Sequence, residues 1–313
     1  MSGGVRLTAT LVLGVLLSAA QIPPLRERRP FRSGVDLTSV NATVTDADGQ
    51  LVSGLTADDF EIFEDGDPQP ITQFIGDRVP ISLGLLLDTS DSMFGSRLAE
   101  ARSAVDRFLF ELLDHEDEFF ILAFNHRPHL LTEWTADPFV VRRALEGIKP
   151  SGATAAYDAV IAALPLVGRR NRQRAALVIV SDGADTASDA SPREVRNALL
   201  RSDAFVYAIA IDAQPQRAIN TRVNPQALRE ITDQSGGRTE VVHTALELET
   251  ATASIANELS HQYLLGYTSS HGADGRFHSI RVRVKNADHR VRARKGYMAT
   301  AAGRRPARST PNR

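Results

Sequence analysis

The sequence predicts an α/β protein: a doubly wound, mostly parallel sheet, with a small β-sandwich formed by the N- and C-terminal flanks. Three observations carry this. Between Pro80 and Gln262, short apolar runs alternate with stretches of helical periodicity, the pattern of strand–helix–strand units. The runs at 83–87 and 175–180 are nearly continuous, as strands covered on both faces require. On either side, 35–79 and 263–299 read as β segments with turn signals, each small to stand alone. Pairing the two flanks into one sandwich is the economical arrangement.

Residues 1–20 read as a signal peptide. Arg6 and the terminal amine give a positive start, Leu7 to Leu17 an apolar core, and Ser18-Ala19-Ala20 a small-residue cleavage site before Gln21. The apolar run falls short of the roughly 20 residues that span a bilayer. Residues 21–34, with Pro23, Arg26, Arg28, Arg29 and Pro30, form a linker.

In the first β segment, Val35 and Leu37, then Val40, Ala42 and Val44, alternate with polar residues, the phase slipping near Ser39 as at a bulge. Asp48-Gly49 and Glu64-Asp65-Gly66 mark turns, and Thr56 with Asp59 caps a short helical turn before Phe60. The α/β domain, 80–262, has strands at 81–88, 119–125, 175–181 and 205–212, with a weaker one at 238–242. Its helices fall at 97–113, 138–147, 155–167, 192–201 and 225–234. In the first, Leu98, Ala101, Val105, Phe108 and Leu112 recur at helical spacing. Pro192 and Pro225 stand where first-turn prolines belong.

After Tyr263 the pattern returns to β. Ile280, Val282 and Val284 alternate with Arg281, Arg283 and Lys285, and Val291 and Ala293 with Arg290, Arg292 and Arg294. Read as a hairpin turning at 286–288, these strands would put the five arginines on one face. That face is either solvated and balanced by Asp36, Glu61 or Glu64, or a patch for an anionic surface. Residues 300–313, basic through Arg304, Arg305, Arg308 and Arg313, read as a disordered tail.

A formal net charge of -2 leaves no global electrostatic case for nucleic acid as partner. The absence of cysteine excludes disulfides, zinc–thiolate sites, thiol catalysis and a lipoprotein anchor. With the leader, this points to an exported protein, periplasmic or extracellular, without a membrane span once the leader is removed.

The chemistry concentrates in Asp88-Thr89-Ser90-Asp91-Ser92, at the end of the apolar run Ile81 to Leu87. A carboxylate and two hydroxyls leaving a buried strand together make half of a hard-cation site, since magnesium and calcium take oxygen ligands. Thr154, in the loop Ser151-Gly152-Ala153-Thr154, and Asp182, directly after a second apolar strand, supply the rest. Ligands of open α/β sheets bind at the carboxyl ends of strands, where both aspartates fall. The bland alternative is that Asp88 and Ser90 cap a helix starting near Ser96.

This constellation resembles the metal-ion-dependent adhesion site (MIDAS) of von Willebrand factor type A (VWA) domains: D-x-S-x-S, a threonine and an aspartate, here Asp88, Ser90, Ser92, Thr154 and Asp182. The flanking strings, among them Leu51-Val52-Ser53-Gly54-Leu55, Tyr263-Leu264-Leu265-Gly266-Tyr267 and Lys295-Gly296-Tyr297, are similar to a bacterial group of exported VWFA-related proteins. The resemblance implies a Rossmann-like domain holding Mg2+, or Mn2+ or Ca2+. The hydroxyls would touch the ion, the aspartates act largely through water, and one coordination position stay open for an acidic side chain of a partner protein. A cation held largely by neutral hydroxyls keeps positive character, which suits that role.

Other signals are weaker. His126-x-x-His129 lacks the closed ligand set of a zinc site, and Asp46-x-Asp48-Gly49 lacks the rest of a calcium loop. G-x-S-x-G, phosphate-loop and H-E-x-x-H motifs are absent. The sequence thus favours a non-enzymatic binding module. A scaffold role in the cell envelope is the alternative; a metal-dependent hydrolase would need Asp91 or Asp185 as base.

Overall fold

The computed structural model describes residues 37–183, 185–212 and 225–300. The expected leader at 1–20, the linker and residues 301–313 of the tail lie outside them. The N-terminal flank supplies β1 (Leu37–Thr45), β2 (Phe60–Glu64), β3 (Asp67–Gln69) and β4 (Ile71–Ile75). The central region runs β5 (Ile81–Asp88), α1 (Ser96–Arg107), β6 (Glu118–Phe124), β7 (Pro128–Thr135), α2 (Pro138–Glu146), α3 (Ala156–Gly168) and β8 (Arg174–Ser181). It continues through α4 (Pro192–Leu200), β9 (Phe205–Ile211), α5 (Pro225–Ser235), β10 (Thr239–Val242) and α6 (Ala245–Ser260). The C-terminal flank adds β11 (Tyr263–Thr268), β12 (Phe277–Val284), β13 (Arg290–Ala293) and β14 (Gly296–Met298).

The central sheet has the order β10-β9-β8-β5-β6-β7, parallel except for β7, which runs antiparallel along the edge of β6. Side chains alternate across it. Leu83, Leu85 and Leu87 pack with α1, α2 and α6, while Leu86, Phe120 and Leu177 pack with α3, α4 and α5. Helices therefore cover both faces, and the fold class read from the sequence is the one observed. The chain leaves β5 toward β6 on one side and returns through α3 to β8 on the other. β5 is thus the switch point, where the flanking loops diverge and open a crevice at the carboxyl edge.

The flanks form two four-stranded sheets, β13-β1-β11-β4 and β14-β12-β2-β3, sharing a core of Val40, Ala42, Val44, Phe60, Ile62, Tyr263, Leu265, Tyr267 and Ile280. Each sheet mixes strands from both ends of the chain. β1 shows why its polar residues are buried as well: Asn41 and Thr43 face away from the sandwich core, and Thr43 donates its hydroxyl to Glu258 of α6 at 3.0 Å. β1 pairs with β11 in unbroken register from Leu37 to Ala42, so the bulge expected near Ser39 does not occur. Thr56 and Asp59 form the expected capping box, and Asp46 accepts from the amides of Asp48 and Gln50 in a hairpin turn.

Two further sequence expectations need correction, and two elements carry no clear sequence signal. The helix expected over 97–113 ends at Arg107 and continues as one π-type turn, Phe108–Leu112. Strand β7 and helix α6 were not foreseen. The arginine strands do not form a hairpin: β12 pairs with β2 and β14, and β13 pairs with β1 in the other sheet. Arg281 and Arg283 lie over the Phe63 ring. Arg292 turns to Glu258, and Arg294 donates to the carbonyls of Gly296 and Leu200. The five arginines are divided between sheets and partners, so the expected single basic face is not formed. No helix among the described residues is long and apolar enough to cross a membrane.

Candidate metal centre

Asp88 ends β5 fully buried. Its Oδ1 accepts the Ser90 amide at 2.8 Å and its Oδ2 the Ser181 hydroxyl at 2.6 Å. Thr89 ties the turn to β6 through its amide and hydroxyl, both donated to the Phe124 carbonyl. The chain then makes a short helical turn, Asp91–Met93, which brings Ser90 Oγ and Ser92 Oγ to 2.9 Å. Asp88 and Ser90 do not cap α1, whose N-cap is Gly95 with no side-chain acceptor.

The loop bearing Thr154 is laced to this turn. Ser151 donates its amide to the Thr89 carbonyl, Asp91 donates to Gly152, and Ala155 donates to Asn125 at the end of β6. Gly152 sits at φ +77, a left-handed conformation suited to glycine, and an added Cβ would lie 3.1 Å from His126. Thr154, also buried, accepts at its carbonyl from the amides of Thr186 and Ala187. Asp182, buried after β8, completes the set. The structure therefore carries all five sequence-predicted residues on three mutually bonded loops at the switch point.

Burial pushes the Asp88 carboxyl up to about 6; the Ser181 and Ser90 hydrogen bonds oppose this, and the nearby Asp182 charge adds to it. Two buried carboxylates that feel each other's charge call for a cation. Arg97, at the start of α1 and itself buried, supplies one: its guanidinium lies 3.5 Å from Asp182 Oδ2 and donates to the Ser92 carbonyl at 2.9 Å. The donor set also fits a hard divalent ion, being all oxygen and mixing three hydroxyls with two carboxylates. Adjacent ligands of an octahedral magnesium stand about 2.9 Å apart, given Mg–O distances of about 2.0–2.1 Å. The serine hydroxyls already have that spacing.

Residues 83–184 match the family model for the von Willebrand factor type A domain. The chain carries a VWA domain. Its matched segment runs from β5 through the loop after β8 and so contains all five candidate residues. An uncharacterized protein, sll0103, from Synechocystis sp. is 27% identical over 115 residues, 36% of this chain and 27% of that protein. Bovine inter-alpha-trypsin inhibitor heavy chain H4 is 23% identical over 130 residues, 38% of this chain and 14% of that protein. The chain thus matches only a minor part of either curated relative. A von Willebrand factor type A structure from Catenulispora acidiphila has TM-score 0.50 at 13% identity, covering 84% of this chain and 72% of that one. That likeness is one of fold.

Around the VWA site, two residues went unnoticed in the sequence. In the sequence Ser181 reads only as a strand end, yet it holds Asp88. Arg97 lies five positions beyond Ser92, with no local signal that it would turn back. His126 accepts from Arg127, and His129 is exposed on β7. Asp185 braces the start of α3, its Oδ2 accepting from the Tyr157 amide and the Ser188 hydroxyl. Asp91 is exposed.

Proposed function

We propose that this protein is an exported, metal-dependent protein-interaction module, in which Ser90, Ser92, Thr154, Asp88 and Asp182 hold a divalent cation that captures an acidic side chain of a partner. The observation that carries this reading is the pair of serine hydroxyls 2.9 Å apart beside two buried carboxylates at the switch point. When bound, the ion supplies an electrophilic position for a carboxylate. Everything else is done by the chain. Asp88 orients the turn through Ser90 and Ser181, and the laced loops hold the hydroxyls in place before any ion arrives, which lowers the ordering cost of binding. Mg2+ is the ion favoured by an all-oxygen set of this kind, with Mn2+ and Ca2+ as substitutes.

The Asp185 carboxylate is engaged in bracing α3, which leaves the hydrolase alternative only the exposed Asp91 as its base. The test is Mg2+ titration calorimetry on the wild type and Ser90→Ala, followed by capture of partners from an envelope extract with Mg2+ or chelator. Mg2+ binding and capture that both disappear in Ser90→Ala and in chelator support the reading. Capture that persists in chelator rejects it. Export rests on residues 1–20, and a fusion of that segment to a reporter tests it separately.

A further inference from the structure

Outside the VWA site, two histidines and an aspartate meet on the sandwich. Asp65 lies in the β2–β3 turn, His278 on β12 and His271 in the β11–β12 loop. Asp65 Oδ2 is 2.7 Å from His278 Nδ1 and 3.7 Å from His271 Nε2, and the three ligand atoms lie within 4.8 Å of one another. We propose that Asp65, His271 and His278 form a second metal site, for a divalent transition ion of the zinc class.

Three features support this. The spacing brackets the roughly 3.3 Å between ligands of a tetrahedral ion with bonds of about 2.0–2.1 Å. Asp65 is aimed: its Oδ1 accepts from the Ser279 amide and hydroxyl at 2.7 and 3.0 Å, leaving Oδ2 toward the imidazoles. Its backbone φ of 51 belongs to the Asp65-Gly66 hairpin turn that joins β2 to β3. Finally, His278 Nε2 lies 3.2 Å from the Asp274 carboxylate. A metal-ligating histidine typically gives its other nitrogen to such a carboxylate, which fixes the tautomer and raises ligand basicity.

His278 is buried, and its ring stacks on His271 at 4.1 Å and 18°. One ion cannot lie in both ring planes of a parallel stack, so ligation requires one ring to tilt. His271, with 39% of its side chain exposed, has the room. Its loop is anchored beneath by Ser269, which accepts the His271 amide and donates to the buried Glu64. Imidazole nitrogen selects zinc-class ions over magnesium, so the two sites differ in the metal they take.

The test uses the full chain carrying Asp88→Asn, which removes the oxygen site from the measurement. Zn2+ is titrated by calorimetry and Co2+ by visible absorption. The expected result is stoichiometric binding of both ions, weakened at least about tenfold, the loss typical of disturbing even an outer-shell group, by His271→Ala and by Asp65→Asn. Both substituted side chains are partly exposed, so the sandwich core is untouched. Absence of Zn2+ binding overturns the proposal. So does binding that neither substitution weakens, which would place the ion on other surface histidines.

Discussion

Arg97 Nη1 lies 3.5 Å from Asp182 Oδ2, with both side chains buried. A permanent positive charge thus stands beside the oxygens proposed to receive a divalent ion, and it shares a carboxylate with them. It neutralises the crevice when no metal is present and opposes the metal's arrival. The volume-conserving Arg97→Met is expected to bind Mg2+ several-fold more tightly in calorimetry. The same variant should lose about 3 kcal/mol of metal-free stability, because it strands a buried carboxylate. Unchanged affinity would mean that Arg97 only packs the start of α1.

Gly84 makes room in β5 for its neighbours. A Cβ there would lie 2.4 Å from Phe120 and 2.5 Å from Leu177. Gly84→Ala should cost about 1–3 kcal/mol through overpacking, read by urea unfolding. It should also weaken Mg2+ binding, because β5 carries Asp88 four residues further on. A variant as stable as the wild type would contradict the packing described.

Glu258 joins the two halves of the fold. It accepts hydroxyls from Thr43 of β1 and Tyr207 of β9, and pairs with Arg238 and with Arg292 of β13. Burial works to raise its pKa, but the charge and hydrogen bond of Arg292, with Tyr207 and Arg238, hold it below the ordinary 4.5. A depressed carboxylate contributes stability above the unfolded value and loses it as pH falls through the folded one. Glu258→Gln should therefore cost about 3 kcal/mol at neutral pH. The gap to the wild type should narrow as pH falls below about 4.5 in urea unfolding. A gap independent of pH would show that the carboxylate charge is not what matters.

The elements that position the VWA site were legible because their signals are local. Strands β5 and β8 are continuous apolar runs, and the aspartates and serines follow them directly. What escaped depends on distant partners. β7 begins at Pro128 and buries little besides Thr132, as befits an edge strand seen on its own. Helix α6 buries Leu248, Ala251, Thr252, Ile255, Ala256 and Leu259, a regular helical stripe. Its alanines and threonines make the stripe faint in sequence. The arginine strands alternate as hairpin strands do, and only the core they share with β1 and β2 assigns them to opposite sheets. Asp65, His271 and His278 carry no common motif and meet only through the β2–β12 pairing.

The central claim turns on Asp88. With no metal, its folded pKa of about 6 stands above the ordinary 3.8, mainly through burial. The stability linked to its proton is therefore present at low pH and lost as pH rises through about 6. At neutral pH the ionised group costs the metal-free protein about 3 kcal/mol, by the usual conversion of about 1.4 kcal/mol per pKa unit. Asp88→Asn removes that cost together with the metal. The measurement is thermal unfolding at pH 7 of the wild type and Asp88→Asn, each in chelator and in Mg2+. The expected result has two parts. In chelator the variant melts at or above the wild type. Mg2+ at 100 times its Kd then raises the wild type alone, by about 2.7 kcal/mol or roughly 5–10 °C. A wild type indifferent to Mg2+, or a variant that gains as much from it, would contradict the assignment of these oxygens to a metal.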